Sequence, residues 1–313
     1  MGVLAGMDEA GYGPNLGPLV ISATAWDVNG DPGGVDLWGI FAEIVSSSRT
    51  SDKLQVADSK TVYTAGKSIA RLECSVLCLL GLAGKTPRTL KELCSDVMQS
   101  PLGLEATAPW LQDLSLSLPV EADPDRIRKL TSRWSEVCSE SGAALQQVRS
   151  DIVSAERFNA LVREYDNKST VLSRVSLALL AQVCPADGKA STLIVCDKHG
   201  GRNRYDGLLS EALGHQLVFR LQESAELSCY RSGPLEVRFQ AKGESVFSVA
   251  VASMVSKYIR ELIMLRFNDY WTEQMPELRP TRGYPVDAKR FDAEVAGLLS
   301  ELGISKDVFW RSR

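Results

Sequence analysis

An α/β fold, a sheet flanked by helices, is what this sequence predicts, and three observations carry the prediction. Short runs rich in Val, Ile, Leu and Thr recur along the chain, and runs with helical apolar spacing alternate with them. Two of the strand-like runs, VLAGMDE and STLIVCD, end on acids.

Taken in order, VLAGM (3–7) and LVISATAWDV (19–28) read as strands separated by a Gly/Pro loop, and NGDPGG (29–34) has turn chemistry. VDLWGIFAEIV reads as a helix, and VADSKTVYTAGK (56–67) as a polar stretch. SIARLECSVLCLLGLA (68–83) is a helix apolar enough to be buried, and Cys74 and Cys78, four apart on it, read as core. From 85 to 147 the character changes: Pro-punctuated amphipathic pieces carry Trp110 and Trp134, and DPDRIRKLTSRWSEV opens with a helix-start signal. This segment is expected to be an inserted subdomain outside the central sheet.

STVLSRVSLALLAQV (169–183) is a further helix. STLIVCD (191–197), apolar throughout, is the strongest strand and suits the interior of a parallel arrangement. QLVFRL (216–221) and LEVRFQAK (235–242) are strands; 245–271 is a long helix whose Ala/Ser/Val-rich first half implies close packing on the sheet. The expected organisation is a core of 1–84 and 148–265, the 85–147 insert, and a C-terminal helical extension over 266–313.

With 313 residues, 44% hydrophobic and 24% charged, the chain is an ordinary globular one. A net charge of −4 excludes a general nucleic-acid coat protein but leaves room for a local basic groove. Seven scattered cysteines form neither a paired metal spacing nor a disulfide framework, which points to a reducing compartment. The acids at 8 and 9 interrupt any apolar targeting segment, and the apolar helices carry charges well short of a membrane span. A cytoplasmic protein with no membrane partner is the expectation.

A carboxylate at the end of a buried strand is desolvated and needs a cation beside it, either a basic side chain or a metal. Asp8 with Glu9 and Asp197 sit at two such ends, and Glu244 in AKGESVFSVAVASMVSKY sits at a third, a strand-to-helix junction. Divalent-metal chemistry on phosphodiesters needs several carboxylates from different elements, because hard cations take oxygen ligands.

These segments form an ordered pattern. MDEAGYGPNLGPLV resembles the first motif of the type 2 ribonuclease H family, an acid pair followed by a Gly-X-Gly-Pro loop. VADSK (56–60), SAERFNALVREYDNKSTVLSRVSLALL, LIVCD, AKGESVFSVAVASMVSKY and TRGYPVDAKRF (281–291) follow in family order, leaving only about 85–147 unmatched. The resemblance implies a ribonuclease H-like mixed β-sheet flanked by helices. It also implies two-metal hydrolysis, with Mg2+ or Mn2+, of the RNA strand in an RNA–DNA hybrid or at an RNA–DNA junction, giving 5′-phosphate and 3′-hydroxyl ends. Asp8, Glu9, Asp197 and Glu244 are then the catalytic, metal-binding carboxylates, with Asp8 bridging both ions. Gly11 and Gly13 let the loop backbone approach a sugar, and the 2′-hydroxyl is what distinguishes RNA from DNA there. Lys60 matches a position near the substrate backbone, and Tyr284 one placed to stack on a sugar.

Three departures stand out. Tyr12 stands where type 2 members usually have Arg, which removes a phosphate clamp, and type 3 relatives also lack that Arg. Glu244 stands where type 2 members have Asp, with Glu261 a rival in the helix that follows. CDKHGGRNRYDGLL puts Lys198, Arg202 and Arg204 with His199 just beyond Asp197, where a phosphate backbone could pass. These differences keep two alternatives open: a nuclease of structured DNA (branch, junction or flap) on the same core, or a catalytically silent nucleic-acid binder.

Overall fold

Gly2–Ala10 (β1) and Leu19–Val28 (β2) form the antiparallel centre of the sheet, paired from Gly2↔Val28 to Ala10↔Val20. The computed structural model describes residues 1–63, 68–98, 108–185 and 189–312, without the side chain of Lys60. The predicted role of Lys60 therefore lies outside the described residues, as do parts of the 56–67 stretch and of the predicted insert. On its other side β1 pairs in parallel with Ser191–Asp197 (β6), which pairs in parallel with Leu235–Gln240 (β9). Leu227–Ser232 (β8) and Phe219–Glu223 (β7) continue antiparallel to one edge, and Ala144–Val153 (β5) pairs with β2 at the other. The order is β5-β2-β1-β6-β9-β8-β7, a mixed seven-stranded sheet flanked by helices, as predicted.

Several local expectations need correction. β1 runs on through Asp8 and Glu9 to Ala10, so the acids lie inside the strand, where successive side chains face opposite ways. The helix expected over VDLWGIFAEIV is one turn, Leu37–Ile40 (α1). Beyond it Val45–Ser46 (β3) pairs with Leu54–Gln55 (β4), and the Ile44 and Ser46 carbonyls that a helix would use accept from Leu54 and Val56. The polar stretch holds a short helix, Ser59–Val62 (α2).

Strand alternation sorts the core onto two faces. Leu4, Val20, Trp26, Leu193 and Val195 pack beneath Phe247–Gln274 (α9), Ala70–Leu82 (α3) and Pro124–Ser141 (α5). Val3, Ala5, Met7, Ile194 and Cys196 pack on Ala155–Tyr165 (α6), Lys168–Val183 (α7) and Asp206–Ala212 (α8). Among the described residues no helix is long and apolar enough to cross a membrane.

The predicted insert is built into the first of these faces. Residues 144–147 open β5, so the boundary at 147 falls inside a sheet strand. Trp134 of α5 stacks on Trp26, ring centres 6.1 Å apart, and Trp110 meets Phe267, Trp271 and Phe309. Glu73 of α3, fully buried, accepts the Val120, Glu121 and Ala122 amides and the Tyr258 hydroxyl, each at 2.7 Å, and so ties the segment to α9. The boundary at 266 likewise falls within α9. Leu90–Val97 (α4), Pro285–Glu301 (α10) and Lys306–Phe309 (α11) are further helices, and Phe291 and Phe309 join the same core.

Candidate active site

Parallel register brings the acids of β1 and β6 together. The last paired residues are Met7 and Cys196, and one step further along the same register Asp8 stands opposite Asp197. Neighbouring strands run about 4.8 Å apart. Asp8 shares its parity with Leu4, and Asp197 with Leu193 and Val195, so both carboxylates lie on the α9 face. Glu244 enters from a tight 3-10 turn, Gly243–Ser245, just before α9, and the Gly243 amide of that turn donates to Asp197 Oδ1 at 2.9 Å.

The three acids are electrostatic neighbours. Burial first, then the charges of Asp197 and Glu244, push the Asp8 carboxyl from 3.8 up to about 7, against the lowering pull of the Ser253 hydroxyl and the Glu9 amide. The helix beneath is seated by small hydroxyls on both elements: Ser256 Oγ donates to the Asp8 carbonyl at 3.0 Å, Thr24 Oγ1 of β2 to the Ser248 carbonyl at 3.0 Å, and Ser253 Oγ lies 3.2 Å from Ser59 Oγ. Sequence reasoning missed Ser253, Ser256 and Gly243. The signal was present in VAVASMVS, where serines three apart share a helix face.

Glu9 has the opposite parity, that of Val3, Ala5 and Met7, and belongs to the α7 face. Its charge, after burial, raises the Tyr12 phenol, and Arg202 opposes it. The strand end thus divides the predicted carboxylates, with Asp8, Asp197 and Glu244 on one side and Glu9 with Tyr12 and Arg202 on the other. Among the described residues no group of three or more His, Cys, Asp or Glu is drawn in closely enough to hold an ion. Carboxylates facing each other without a cation repel, and an oxygen-only set of this kind suits Mg2+ or Mn2+. Glu261, the rival fourth acid, is engaged by Lys257 at 2.7 Å and Arg260 at 3.6 Å, whereas Glu244 acts on Asp8.

The loop after β1 is braced from within. Gly11 has φ +91°, and a Cβ there would meet Arg260 Nε and the Pro18 carbonyl, each at 2.5 Å, while nothing lies within 4 Å of one at Gly13. The space at Gly11 is therefore filled by protein, and that at Gly13 is open. Arg260 donates to the Arg282 carbonyl at 3.0 Å, and Arg311 donates to the Gly11 and Pro14 carbonyls. Both guanidinium groups are buried, and burial followed by the Arg260 charge pushes Arg311 down to about 9. The predicted C-terminal extension thus ends as a strap on the candidate substrate loop, with the Arg311 amide donating to the Asn15 carbonyl at 2.8 Å.

The basic residues beyond Asp197 separate. Lys198 Nζ turns inward to Asn203 Oδ1 at 2.8 Å, the Ser224 carbonyl at 2.6 Å and Ser228 Oγ at 3.2 Å, and so braces its own loop. Arg204 is exposed, 3.6 Å from Glu223. Arg202 Nη2 donates to Thr170 Oγ1 at 3.3 Å. His199 is buried with Nδ1 3.1 Å from Ser173 Oγ, and burial, then Arg202, lowers it to about 3, so it is neutral at pH 7. Tyr284 caps the start of α10, 52% exposed, and lines a recess with Tyr63, Glu261 and Arg282.

No family model and no curated protein matches this chain. Among solved structures it is similar to RNase HII from Archaeoglobus fulgidus, determined in a complex with PCNA, at 16% identity over 99% of this chain and 94% of that one, with a TM-score of 0.43. It is similar to ribonuclease H2 from Pyrococcus horikoshii OT3 at 15% identity, over 98% and 92%, with a TM-score of 0.44. It is also similar to Bst-RNase HIII in complex with Mn2+ at 14% identity, over 99% and 66%, with a TM-score of 0.42.

Proposed function

We propose that this protein is a divalent-metal-dependent endonuclease of the ribonuclease H type, hydrolysing the RNA strand of RNA–DNA hybrids or junctions to leave 5′-phosphate and 3′-hydroxyl ends. One observation carries the reading: Asp8 and Asp197 lie side by side on one face of adjacent parallel strands, with Glu244 near enough for its charge, like that of Asp197, to bear on Asp8. The ordered motifs of the sequence support it independently.

Asp8, Asp197 and Glu244 would hold Mg2+ or Mn2+ through oxygen, with Glu9 approaching from the other side of the strand end. Such ions, when bound, would offset charge on the phosphate and lower the pKa of a water so that it gives up a proton as it attacks. The protein's own part is to keep those carboxylates in place. Ser253 orients Asp8, Ser256 fixes its backbone, and the Gly243 amide sets the rotamer of Asp197. The peptide groups of Tyr12 and Gly13 are proposed to read the 2′-hydroxyl, with Gly11 giving the turn its shape, and the exposed ring of Tyr284 to stack on a sugar.

The test is a panel of labelled substrates: a uniform hybrid, a DNA duplex with one ribonucleotide, and an all-DNA branch, each with Mg2+, Mn2+ or EDTA. The wild type is expected to cut the RNA strand of the hybrid with metal and not in EDTA. Asp197→Asn is expected to lower that rate by about a hundredfold or more, as loss of an ion's ligand should. Cleavage of branched DNA with the hybrid untouched, or no metal-dependent cleavage at all, would overturn the reading.

A further inference from the structure

We propose that Lys168, Tyr12 and Arg202 form a subsite for one backbone phosphodiester of the bound nucleic acid, on the opposite side of the β1 end from Asp8 and Asp197. The proposal rests on the nuclease reading for the identity of the ligand, and on separate residues for the site.

Three segments far apart in sequence meet here. Tyr12 follows the acid-bearing end of β1, Lys168 is the first residue of α7, and Arg202 lies in the loop beyond β6. Lys168 Nζ stands 5.0 Å from the centre of the Tyr12 ring, within cation–π range. Arg202 is anchored by the first turn of that same helix, through Thr170 Oγ1 at 3.3 Å, and its charge reaches the Tyr12 phenol. Its Nε is buried and has no hydrogen-bond partner among the described residues. A buried N–H of a cation without an acceptor is unfavourable, and an oxyanion bound beside the guanidinium would offset that cost through its charge.

The chemistry of the cluster selects its ligand. Lys168 stands over the half-buried Tyr12 ring, and the charges of Glu9 and then Arg202 reach its phenol. The first turn of α7 carries no acid to offset the cations, and the positive end of the helix dipole adds to them. Guanidinium and ammonium together suit the two non-bridging oxygens of a phosphodiester. The ring keeps the lysine stem extended toward that point instead of free in solvent. Such a contact positions the strand and carries no base information.

The experiment measures binding of a fluorescent RNA–DNA hybrid in Ca2+ across a salt series, for wild type, Lys168→Ala, Arg202→Ala, the double variant, and the conservative pair Lys168→Arg and Arg202→Lys. Each phosphate contact contributes about 0.9 to the slope of log affinity against log salt. The double variant is expected to flatten that slope by about 0.9, the whole of one phosphate contact, and each single alanine variant by part of that, with affinity falling about tenfold in the double variant near 0.15 M salt. The conservative pair is expected to keep the wild-type slope, and Arg128→Ala, removing an exposed cation on α5, is expected to leave it unchanged. A double variant with the wild-type slope would overturn the subsite even if the wild type cleaves hybrids. A Lys168-dependent slope in a protein that never cleaves would uphold the subsite and overturn the nuclease reading instead.

Discussion

Asp8→Asn is expected to make the metal-free protein more stable at pH 8 while removing its response to Mn2+. The folded state raises the Asp8 carboxyl from 3.8 to about 7, so it holds a proton that the unfolded chain has already released. Stability from this group is therefore complete below about pH 4 and is lost as pH rises toward 7. At pH 8 the whole penalty is present. A shift of about three units sets an upper limit near 4 kcal/mol, and the water that reaches this half-buried group reduces it to about 2 kcal/mol. Asparagine keeps the shape and the Ser253 contact but carries no charge to desolvate.

In EDTA at pH 8 the variant should melt a few degrees above the wild type, with the gap narrowing at pH 5 and closing near pH 4. Adding Mn2+ should raise the wild type past the variant, and by more at pH 8 than at pH 6, because the ion competes with the proton. Thermal denaturation at three pH values, with and without Mn2+, gives the full comparison. A variant less stable than wild type in EDTA at pH 8 would show that the charge on Asp8 is not the strained element.

Gly6→Ala is expected to have the largest effect of any substitution that touches no acid. A Cβ on Gly6 would lie 2.2 Å from the Ser248 carbonyl carbon and from the Val249 amide nitrogen, which are backbone atoms of α9. Backbone cannot swing aside as a side chain can, so the helix must lift from β1. That movement displaces Ser253, Ser256 and the turn that carries Glu244. Destabilisation of about 3 kcal/mol is expected in denaturant titration, together with weaker Mn2+ binding in calorimetry although every carboxylate remains. Gly207→Ala on α8, where nothing lies within 4 Å, serves as the comparison and should be close to neutral.

The contrast between these positions shows what could be read from residues alone. β2 and β6 were legible to the residue, because their apolar runs are bounded by turn chemistry, and the small-residue half of α9 announced its approach to the sheet. β5 and β8 were not legible. AALQQVRSDIV and LSCYRS carry too many polar residues to stand out as strands, and only pairing with β2 and β9 makes them so. The 85–147 segment looked separate because its prolines mark local breaks, while its burial depends on tryptophans that find Trp26 and Trp271 across the fold.

Within the site, the motif acids were visible, but which side of the strand each serves was not, because the strand was expected to stop before Asp8. Lys198 looked like part of a basic surface, and its three internal partners come from segments that sequence order does not place together. Lys168 gave no signal at all, since its neighbour Tyr12 lies 156 positions away.

The most direct test of the central claim is anomalous diffraction from crystals soaked in Mn2+. Mn2+ density bounded by Asp8 and Asp197, with Glu244 as a further ligand, is expected, and its loss in Asp8→Asn crystals of the same form. A well-ordered protein whose Mn2+ peaks lie away from Asp8 and Asp197, or that shows none at saturating Mn2+, would contradict it.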